Sequence, residues 1–196
     1  MRAFKTDHRL KKIIAAVEAR QHTLNVVLEN IHDPHNVSAI LRTCDAVGIP
    51  KVALLYNIEK FPKLNRDSSA SATKWVERDK YTDVKECFGT LHAQGFKIYA
   101  SAITEQSISL YDIDFTQKTA VVLGNEHRGV SKEAAEYADG VFLIPMHGMV
   151  QSLNVSVANA VILYEAQRQR LLKGMYNRSE LNESDLNRII DEWCKK

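Results

Sequence analysis

The chain has 196 residues, of which 45% are hydrophobic and 26% are charged, with a formal net charge of +2. These values suit one globular domain with a substantial core, and so small a charge gives no prediction of nucleic-acid binding. The three cysteines are scattered and form no CxxC pair, which argues against a disulfide framework or a cysteine zinc site. No apolar run approaches the ~20 residues of a membrane helix, and the amino terminus lacks the apolar core of a signal peptide. We therefore expect a soluble, cytoplasmic protein.

Hydrophobic periodicity predicts helices and strands that alternate along the chain. Helices are predicted after a cap at Asp7, over 36–47, over 82–94, after a cap at Ser131, over 153–172 and after a cap at Asn182. Strands are predicted at 24–28, 52–56, 74–76, 96–100, 119–123 and 141–144, with a loop over 57–72. Such alternation favours an α/β fold with a parallel sheet flanked by helices.

The segment from Ile144 to Ala158 gives the strongest indication of a ligand site. A strand end passes through a glycine-bearing loop into a helix whose first turn carries Ser152, Asn154 and Ser156. Free backbone N–H groups and small polar side chains at a helix start can bind a polar small molecule. A buried helix cap without a ligand explains the same pattern equally well.

A second glycine-bearing turn, residues 124–131, also lies between a strand and a helix. It matches the phosphate loop G-x-x-x-x-G-K-[ST] except that Val130 replaces the lysine, so a nucleotide triphosphatase is not expected. The dinucleotide fingerprint G-x-G-x-x-G and the hydrolase motif G-x-S-x-G are also absent. A glycine turn at a strand end still allows a ligand without phosphates to approach the backbone closely.

The third polar segment is the start of the predicted helix over 36–47. Asn36 stands at its first turn, and Arg42 lies within helical reach of Asp45. A helix cap and a surface ion pair would explain these two residues without any function. His32 and His35 can be read as metal ligands, but no HExxH motif and no neighbouring cysteines support that reading.

Taken together, the three segments resemble the motifs of the SpoU/TrmH branch of the SPOUT RNA methyltransferases. Residues 36–42 (NVSAILR) resemble the first motif and residues 123–129 (LGNEHRG) the second. The third motif is matched by 144–146 (IPM) together with 152–158 (SLNVSVA). The order and spacing agree with the family, and the resemblance extends over about residues 10–178. The flanking stretches are most similar to enzymes that act on the D-loop of tRNA.

The resemblance implies a SPOUT fold with a carboxyl-terminal deep trefoil knot, and a homodimer whose active site lies near the subunit interface. It implies S-adenosyl-L-methionine as cofactor and tRNA as partner, with no metal and no membrane. The implied reaction transfers a methyl group to a ribose 2'-hydroxyl, that of the D-loop guanosine at position 18. The alternatives are 2'-O-methylation of rRNA or of the tRNA wobble nucleotide, and a non-catalytic dimeric RNA-binding module.

The family motifs also imply a domain plan and a set of site residues. The expected parts are an N-terminal helical extension over 1–22, a knotted methyltransferase domain over 23–172 and a C-terminal helical extension over 173–196. The expected catalytic group is Arg42, Asn36, Glu126, Ser152 and Asn154. The expected cofactor pocket is lined by Ser101, Leu123, Gly124, Ile144, Ser152 and Leu153. Basic residues near both ends are expected to contact RNA: Arg9, Lys11, Lys12, Arg20, Arg168, Arg170, Lys173 and Arg178.

Overall fold

The computed structural model describes residues 2–63 and 72–196, and a parallel sheet lies at the centre of this part of the chain. Its strands are β1 (Leu24–Glu29), β2 (Lys51–Leu55), β3 (Glu77–Tyr81), β4 (Lys97–Ser101), β5 (Ile108–Ser109), β6 (Thr119–Leu123) and β7 (Gly140–Leu143). Their order across the sheet is β3-β2-β1-β6-β4-β7-β5, and every neighbouring pair is parallel. The predicted α/β fold with a parallel sheet is confirmed.

The helices are α1 (Asp7–Glu18), α2 (Pro34–Ala46), α3 (Val84–Ala93), α4 (Lys132–Tyr137), α5 (Val155–Leu172) and α6 (Glu183–Trp193). Each begins after a residue whose side chain accepts a hydrogen bond from a backbone N–H of the first turn. These capping residues are Thr6, Asp33, Asp83, Ser131, Asn154 and Asn182. The predicted caps at Ser131 and Asn182 are confirmed, whereas the predicted cap at Asp7 is wrong because Thr6 caps α1 and Asp7 is its first residue.

Helices cover both faces of the sheet. Val26 and Leu28 of β1 belong to the core cluster that contains the buried sides of α2 and α5, whereas Val27 belongs to the cluster of α3 and α4. Successive strand residues point to opposite faces, so a run of apolar residues fills both layers. This is why β1, β2 and β6 read as continuous apolar segments in the sequence.

The two ends of the chain meet in a third, smaller cluster. Ile13 and Val17 of α1 pack with Ile190 and Trp193 of α6. The Trp193 ring also lies 4.6 Å from the ring of Trp75, centroid to centroid. The helices at both termini therefore pack against each other beside the sheet.

The structure corrects several predicted boundaries. The strand predicted at 74–76 is wrong: residues 72–74 form a 3-10 turn, and β3 begins at Glu77. Its sequence, ERDKY, is polar because β3 is an edge strand, and it lacks the apolar run that marks the central strands. The two-residue strand β5 was also not predicted. Residues 64–71 of the predicted loop lie outside the described residues.

The cap of α2 is a further correction, because Asp33 accepts the capping hydrogen bond and Pro34 occupies the first turn. Asn36 therefore lies inside the helix, and its side chain is free for another role. Among residues 2–63 and 72–196, no helix is long and apolar enough to cross a membrane.

Candidate active site

Three neighbouring strands end at the same edge of the sheet, and their ends carry most of the expected cofactor residues. β4 ends at Ser101, β6 at Leu123 and β7 just before Ile144. These strands are adjacent in the order β6-β4-β7, and Ser101 is paired in register with Phe142. Ligands of open parallel sheets bind outside the carboxyl ends of the strands. The tertiary structure thus brings Ser101, Leu123 and Ile144 to the edge where a ligand is expected.

The turn after β6 requires glycine at position 124. A Cβ atom there would lie 2.1 Å from the carbonyl carbon of Gly129 and from the backbone nitrogen of Val130. The turn folds back on itself, because the Gly129 N–H donates to the Asn125 carbonyl oxygen at 2.8 Å. No side chain fits between these two backbone segments.

Replacing Gly124 with alanine should therefore force the turn apart and lower the free energy of unfolding by about 1–3 kcal/mol. Urea denaturation of the purified variant measures the change. The matched control is Gly89→Ala, because that helical glycine has no neighbouring atom within 4 Å of the added Cβ. There, alanine should stabilise the helix by up to ~1 kcal/mol. Equal stability of Gly124→Ala and the native protein would contradict this account of the turn.

The loop from β7 to α5 presents unpaired backbone groups. Residues 147–154 are exposed, and residues 145–153 make no hydrogen bond to the backbone of any other residue that the structure describes. Ile144 and Met146 are only half-buried at the base of this loop. Polar backbone groups that protein atoms do not satisfy must bind water or a ligand. The loop thus offers free N–H and C=O groups beside apolar side chains.

A network around Glu126 joins the three polar segments that are distant in the sequence. Its carboxylate accepts hydrogen bonds from the backbone N–H groups of His32 and Asp33, at 2.8 and 3.2 Å, and from the Asn36 side chain at 2.8 Å. The amide of Asn154 donates to Asn36 Oδ1 at 3.1 Å. We call Glu126, Asn36 and Asn154, with these two N–H groups, the Glu126 network.

Asn154 serves both this network and the helix that follows. Its Oδ1 accepts hydrogen bonds from the N–H and the hydroxyl of Ser156, so Asn154 caps α5. The neighbouring Ser152 is exposed, and its hydroxyl makes no hydrogen bond to the residues described. The start of α5 is thereby held against the start of α2, with Ser152 beside the junction.

Glu126 is ionised at neutral pH. Partial burial acts to raise the pKa of this carboxyl, but hydrogen bonds from Asn36 and from the N–H groups of His32 and Asp33 outweigh it. The pKa therefore lies below its usual value. A carboxylate held in this way positions its donors and does not act as a proton donor near pH 7.

Replacing Glu126 with glutamine should destabilise the protein in a pH-dependent way. Because the folded pKa is depressed, the carboxylate stabilises the fold above the usual pKa of about 4.5, and this contribution is lost as the pH falls through the folded value. The difference in free energy of unfolding between native protein and variant should be largest at neutral pH and shrink in acid. Denaturant titrations across pH 3–7 measure it. A difference that is constant over this range would contradict the assignment.

Arg42 stands apart from the Glu126 network. It lies on α2, six residues and about 9 Å along the helix axis from Asn36. Its side chain is exposed and forms no ion pair with any described residue. The surface ion pair with Asp45 is not formed, because Asp45 binds Arg20 instead. Arg42 is therefore an exposed, unpaired cation on the helix that supplies Asn36.

The basic residues expected to contact RNA divide into two groups. The exposed group comprises Arg9, Lys11, Lys12, Arg168, Lys173 and Arg178. Arg20 and Arg170 are buried, with 3% and 0% of their surfaces exposed. Arg20 donates to the Ile49 carbonyl oxygen and pairs with Asp45. The expectation that these two arginines contact RNA is therefore wrong, because their charged groups are occupied inside the protein.

Arg170 is a structural cation at the amino-terminal ends of the strands. Its guanidinium group donates hydrogen bonds to five oxygens, which belong to Gln21, Thr23, Phe115 and Gln117. Burial lowers the pKa of Arg170, and the Glu180 carboxylate, 3.6 Å away, opposes this shift. A planar group with five donors can satisfy carbonyl oxygens that lie in several directions. Arg170 thereby joins α5 to the segments before β1 and β6.

Sequence reasoning missed the residues that support the network. Asn30 follows β1 with a positive φ of 51°, a conformation in which asparagine is enriched. Its Oδ1 accepts hydrogen bonds from the N–H groups of Ile58 and Glu59, and its carbonyl accepts one from Asn125. An asparagine directly after a buried strand was the only signal available. Its partners are far away along the chain.

Comparison with known proteins agrees with this geometry. Residues 23–164 match the SpoU rRNA methylase family. A tRNA (guanosine(18)-2'-O)-methyltransferase of Thermus thermophilus is 45% identical over 98% of this chain and 98% of its own. The crystal structure of the A. aeolicus TrmH/SpoU tRNA modifying enzyme superposes with a TM-score of 0.89, at 42% identity, over 95% of each chain. The SpoU methyltransferase AviRb from Streptomyces viridochromogenes, in complex with AdoMet, gives 0.70 at 25% identity, over 79% of this chain and 62% of that one.

The fold and the site together define a parallel α/β methyltransferase whose polar loops converge at the carboxyl edge of the sheet. The chain belongs to the SpoU rRNA methylase family.

Proposed function

We propose that this protein transfers a methyl group from S-adenosyl-L-methionine to the 2'-hydroxyl of a ribose in tRNA, namely that of guanosine 18 in the D-loop. The observation that carries the proposal is the Glu126 network, which joins all three family motifs at the carboxyl edge of the sheet. The similarity to a Thermus thermophilus tRNA (guanosine(18)-2'-O)-methyltransferase over nearly the whole chain supports the choice of substrate.

The residues at this edge fit the cofactor. S-adenosyl-L-methionine, when bound, supplies a methyl group on a positively charged sulfur and carries no phosphate. Half-buried Ile144 can flank its adenine ring, and the unpaired backbone groups of residues 145–153 can bind its polar edges. The Leu123 side chain, only 1% exposed, packs in the core behind this pocket. Gly124 and Ser101 at the neighbouring strand ends, with Ser152 and Leu153 before α5, complete the proposed pocket. Val130 in place of a phosphate-binding lysine agrees with a ligand that lacks phosphates.

The chemistry requires a weak nucleophile to be activated. Bound S-adenosyl-L-methionine would supply the methyl group and would leave as a neutral thioether, while the 2'-hydroxyl proton of the ribose would pass to water. Negative charge builds up on the oxygen, and Arg42 is suited to stabilise it while binding a neighbouring phosphate. Arginine is almost never neutral at pH 7, so Arg42 acts through its charge and not as a base. The Glu126 network positions Asn36, Asn154 and the loop that carries Ser152.

We also propose the homodimer, with a second copy of this chain covering one face of α5. Val157 and Tyr164 lie on this helix with 49% and 54% of their surfaces exposed, and Val150 and Leu153 in the preceding loop are 63% and 37% exposed. An apolar stripe of this kind on a surface helix is typical of a protein interface. Because Arg42 contacts nothing in the Glu126 network of its own protomer, we infer that it completes the site of the partner subunit.

Several parts of the expected plan belong to the same proposal. The trefoil knot is supported by the family motifs and by a strand order in which β6 and β7 flank β4. The helical extensions over 1–22 and 173–196, which pack together, would present Arg9, Lys11, Lys12, Lys173 and Arg178 to tRNA, and Arg168 near the end of α5 would join them. The domain over 23–172 would hold the site. A tRNA substrate supports a cytoplasmic location, which we include in the proposal.

The decisive experiment is transfer of a labelled methyl group to unmodified tRNA, followed by mapping of the modified ribose. Methylation of guanosine 18 alone is the expected result. Modification of the wobble nucleotide, or of rRNA in place of tRNA, would overturn the choice of substrate. Binding of tRNA without binding of S-adenosyl-L-methionine in calorimetry would overturn the enzymatic function and favour a non-catalytic RNA-binding module.

A further inference from the structure

A second cluster of charged groups lies beside the Glu126 network. The Glu59 carboxylate accepts a hydrogen bond from Arg128 Nη2 at 2.8 Å, and its other oxygen lies 3.5 Å from His32 Nδ1. Both groups belong to segments that form the network: Arg128 comes two residues after Glu126, and the backbone N–H of His32 binds the Glu126 carboxylate. One carboxylate therefore lies against two side chains, one from the segment before α2 and one from the turn after β6, at the edge of the proposed site.

The backbone of Glu59 is held by hydrogen bonds, whereas the Arg128 side chain is exposed to solvent. Asn30, which is only 3% exposed, accepts hydrogen bonds from the backbone N–H groups of Ile58 and Glu59. Its Nδ2 donates to Asn57, which secures the same turn. The Arg128 side chain is 51% exposed, and among the described residues Glu59 is its hydrogen-bonding partner. The pair thus has a fixed acid and a cation that can move into solvent.

Replacing the Glu59 carboxylate with a phosphate as the partner of Arg128 should cost little free energy. The hydrogen bond from Arg128 holds the pKa of Glu59 below its usual value, so this acid is ionised at neutral pH. Exposed ion pairs contribute little to stability, because water screens the charges and two long side chains must be ordered. A nucleic-acid phosphate is an equally charged acceptor that guanidinium can bind with two parallel hydrogen bonds.

We propose that Arg128 binds a backbone phosphate of the RNA substrate, and that Glu59 occupies the phosphate position in the free enzyme until RNA displaces it. This inference rests on the proposed function. In the free enzyme, Glu59 keeps the Arg128 guanidinium extended beside the site. Glu59 also competes with the RNA phosphate for this guanidinium. Arg128 is thereby a substrate-binding residue, and Glu59 sets the affinity of that contact.

Two substitutions distinguish this role from a structural ion pair, because they should act in opposite directions. Arg128→Gln should raise the KM for tRNA roughly tenfold with little change in kcat, since one charge-assisted contact is lost. The slope of log affinity against log salt should become shallower by about 0.7–0.9. Glu59→Gln should lower the KM for tRNA roughly two- to fivefold, because the competing carboxylate is removed. The double variant should behave like Arg128→Gln.

The measurements are initial rates of methyl transfer to unmodified tRNA and direct tRNA binding without cofactor, each at several salt concentrations. Arg188→Gln and Glu192→Gln are matched controls, because they remove an exposed arginine–glutamate pair on α6. They should leave the KM within twofold. If both test variants weaken tRNA binding alike, the pair is structural and the proposal is overturned; it also fails if neither variant changes binding. A native enzyme that methylates no tRNA would instead overturn the proposed function.

Discussion

Replacing Arg42 with alanine should lower kcat at least ~100-fold, the usual cost of removing a group that stabilises a developing oxyanion. The native enzyme places a permanent positive charge near the ribose oxygen at the moment when that oxygen loses its proton. Alanine offers no charge and no hydrogen-bond donor, so the transition state loses more than the ground state. Single-turnover methyl transfer at saturating tRNA measures the loss directly.

The fold of this variant should be intact, because Arg42 is exposed and forms no ion pair with any residue described. Its free energy of unfolding should stay within ~0.5 kcal/mol of the native value. Arg42→Lys keeps the charge but loses the planar fork, so its kcat should be intermediate. Arg188→Ala on α6 is the control for loss of an exposed arginine. Near-native turnover in Arg42→Ala would remove Arg42 from the catalytic group.

Replacing Arg170 with methionine should lower the free energy of unfolding by about 3–5 kcal/mol, the scale for breaking a buried ionic network. Methionine has a similar length, but it removes all five hydrogen bonds of the guanidinium group and leaves the Phe115 carbonyl oxygen without a donor among the described residues. It also leaves the Glu180 carboxylate, 84% buried, without its positive neighbour. Chemical denaturation at pH 7 gives the change.

Arg168→Met is the matched control, two residues away on the same helix. Arg168 is exposed, and the largely buried Glu165 carboxylate with which it pairs keeps a hydrogen bond from Gln169, so the loss of Arg168 should lower the free energy of unfolding much less than the loss of Arg170. At temperatures where Arg170→Met is still folded, its tRNA affinity should equal that of the native protein. A stable Arg170→Met variant with weakened tRNA binding would reverse the structural assignment and restore Arg170 to the RNA contacts.

Local patterns were sufficient wherever neighbours along the chain decide the structure. The caps at Ser131 and Asn182 could be predicted because a capping side chain bonds to a backbone group two or three residues away. The central strands could be predicted because burial on both faces demands an apolar run. β3 could not, since an edge strand is polar and is defined by its pairing with β2.

The same division holds at the candidate site. Asn36, Glu126 and Asn154 could be singled out from their motifs, yet a pattern of residue types does not reveal that one carboxylate bonds to two of the segments. Arg20 and Arg170 were predicted to be exposed RNA contacts, but both are buried. A basic residue in a charged stretch of sequence suggests exposure, and only its partners in the fold show that it is buried. Glu59 and Asn30 gave almost no local signal, since every contact that defines them joins residues distant in sequence.

By itself, the sequence determined the α/β class, the parallel sheet and the three polar segments, because these depend on hydrophobic period and on residues close along the chain. Only the tertiary structure decided which charges are buried and which are exposed. It also decided that the segments meet through Glu126 and that Arg128 lies against Glu59. Burial and ion pairing of these charged groups arise between residues brought together by folding over separations of 25 to 149 positions, and short-range patterns carry no information about such contacts.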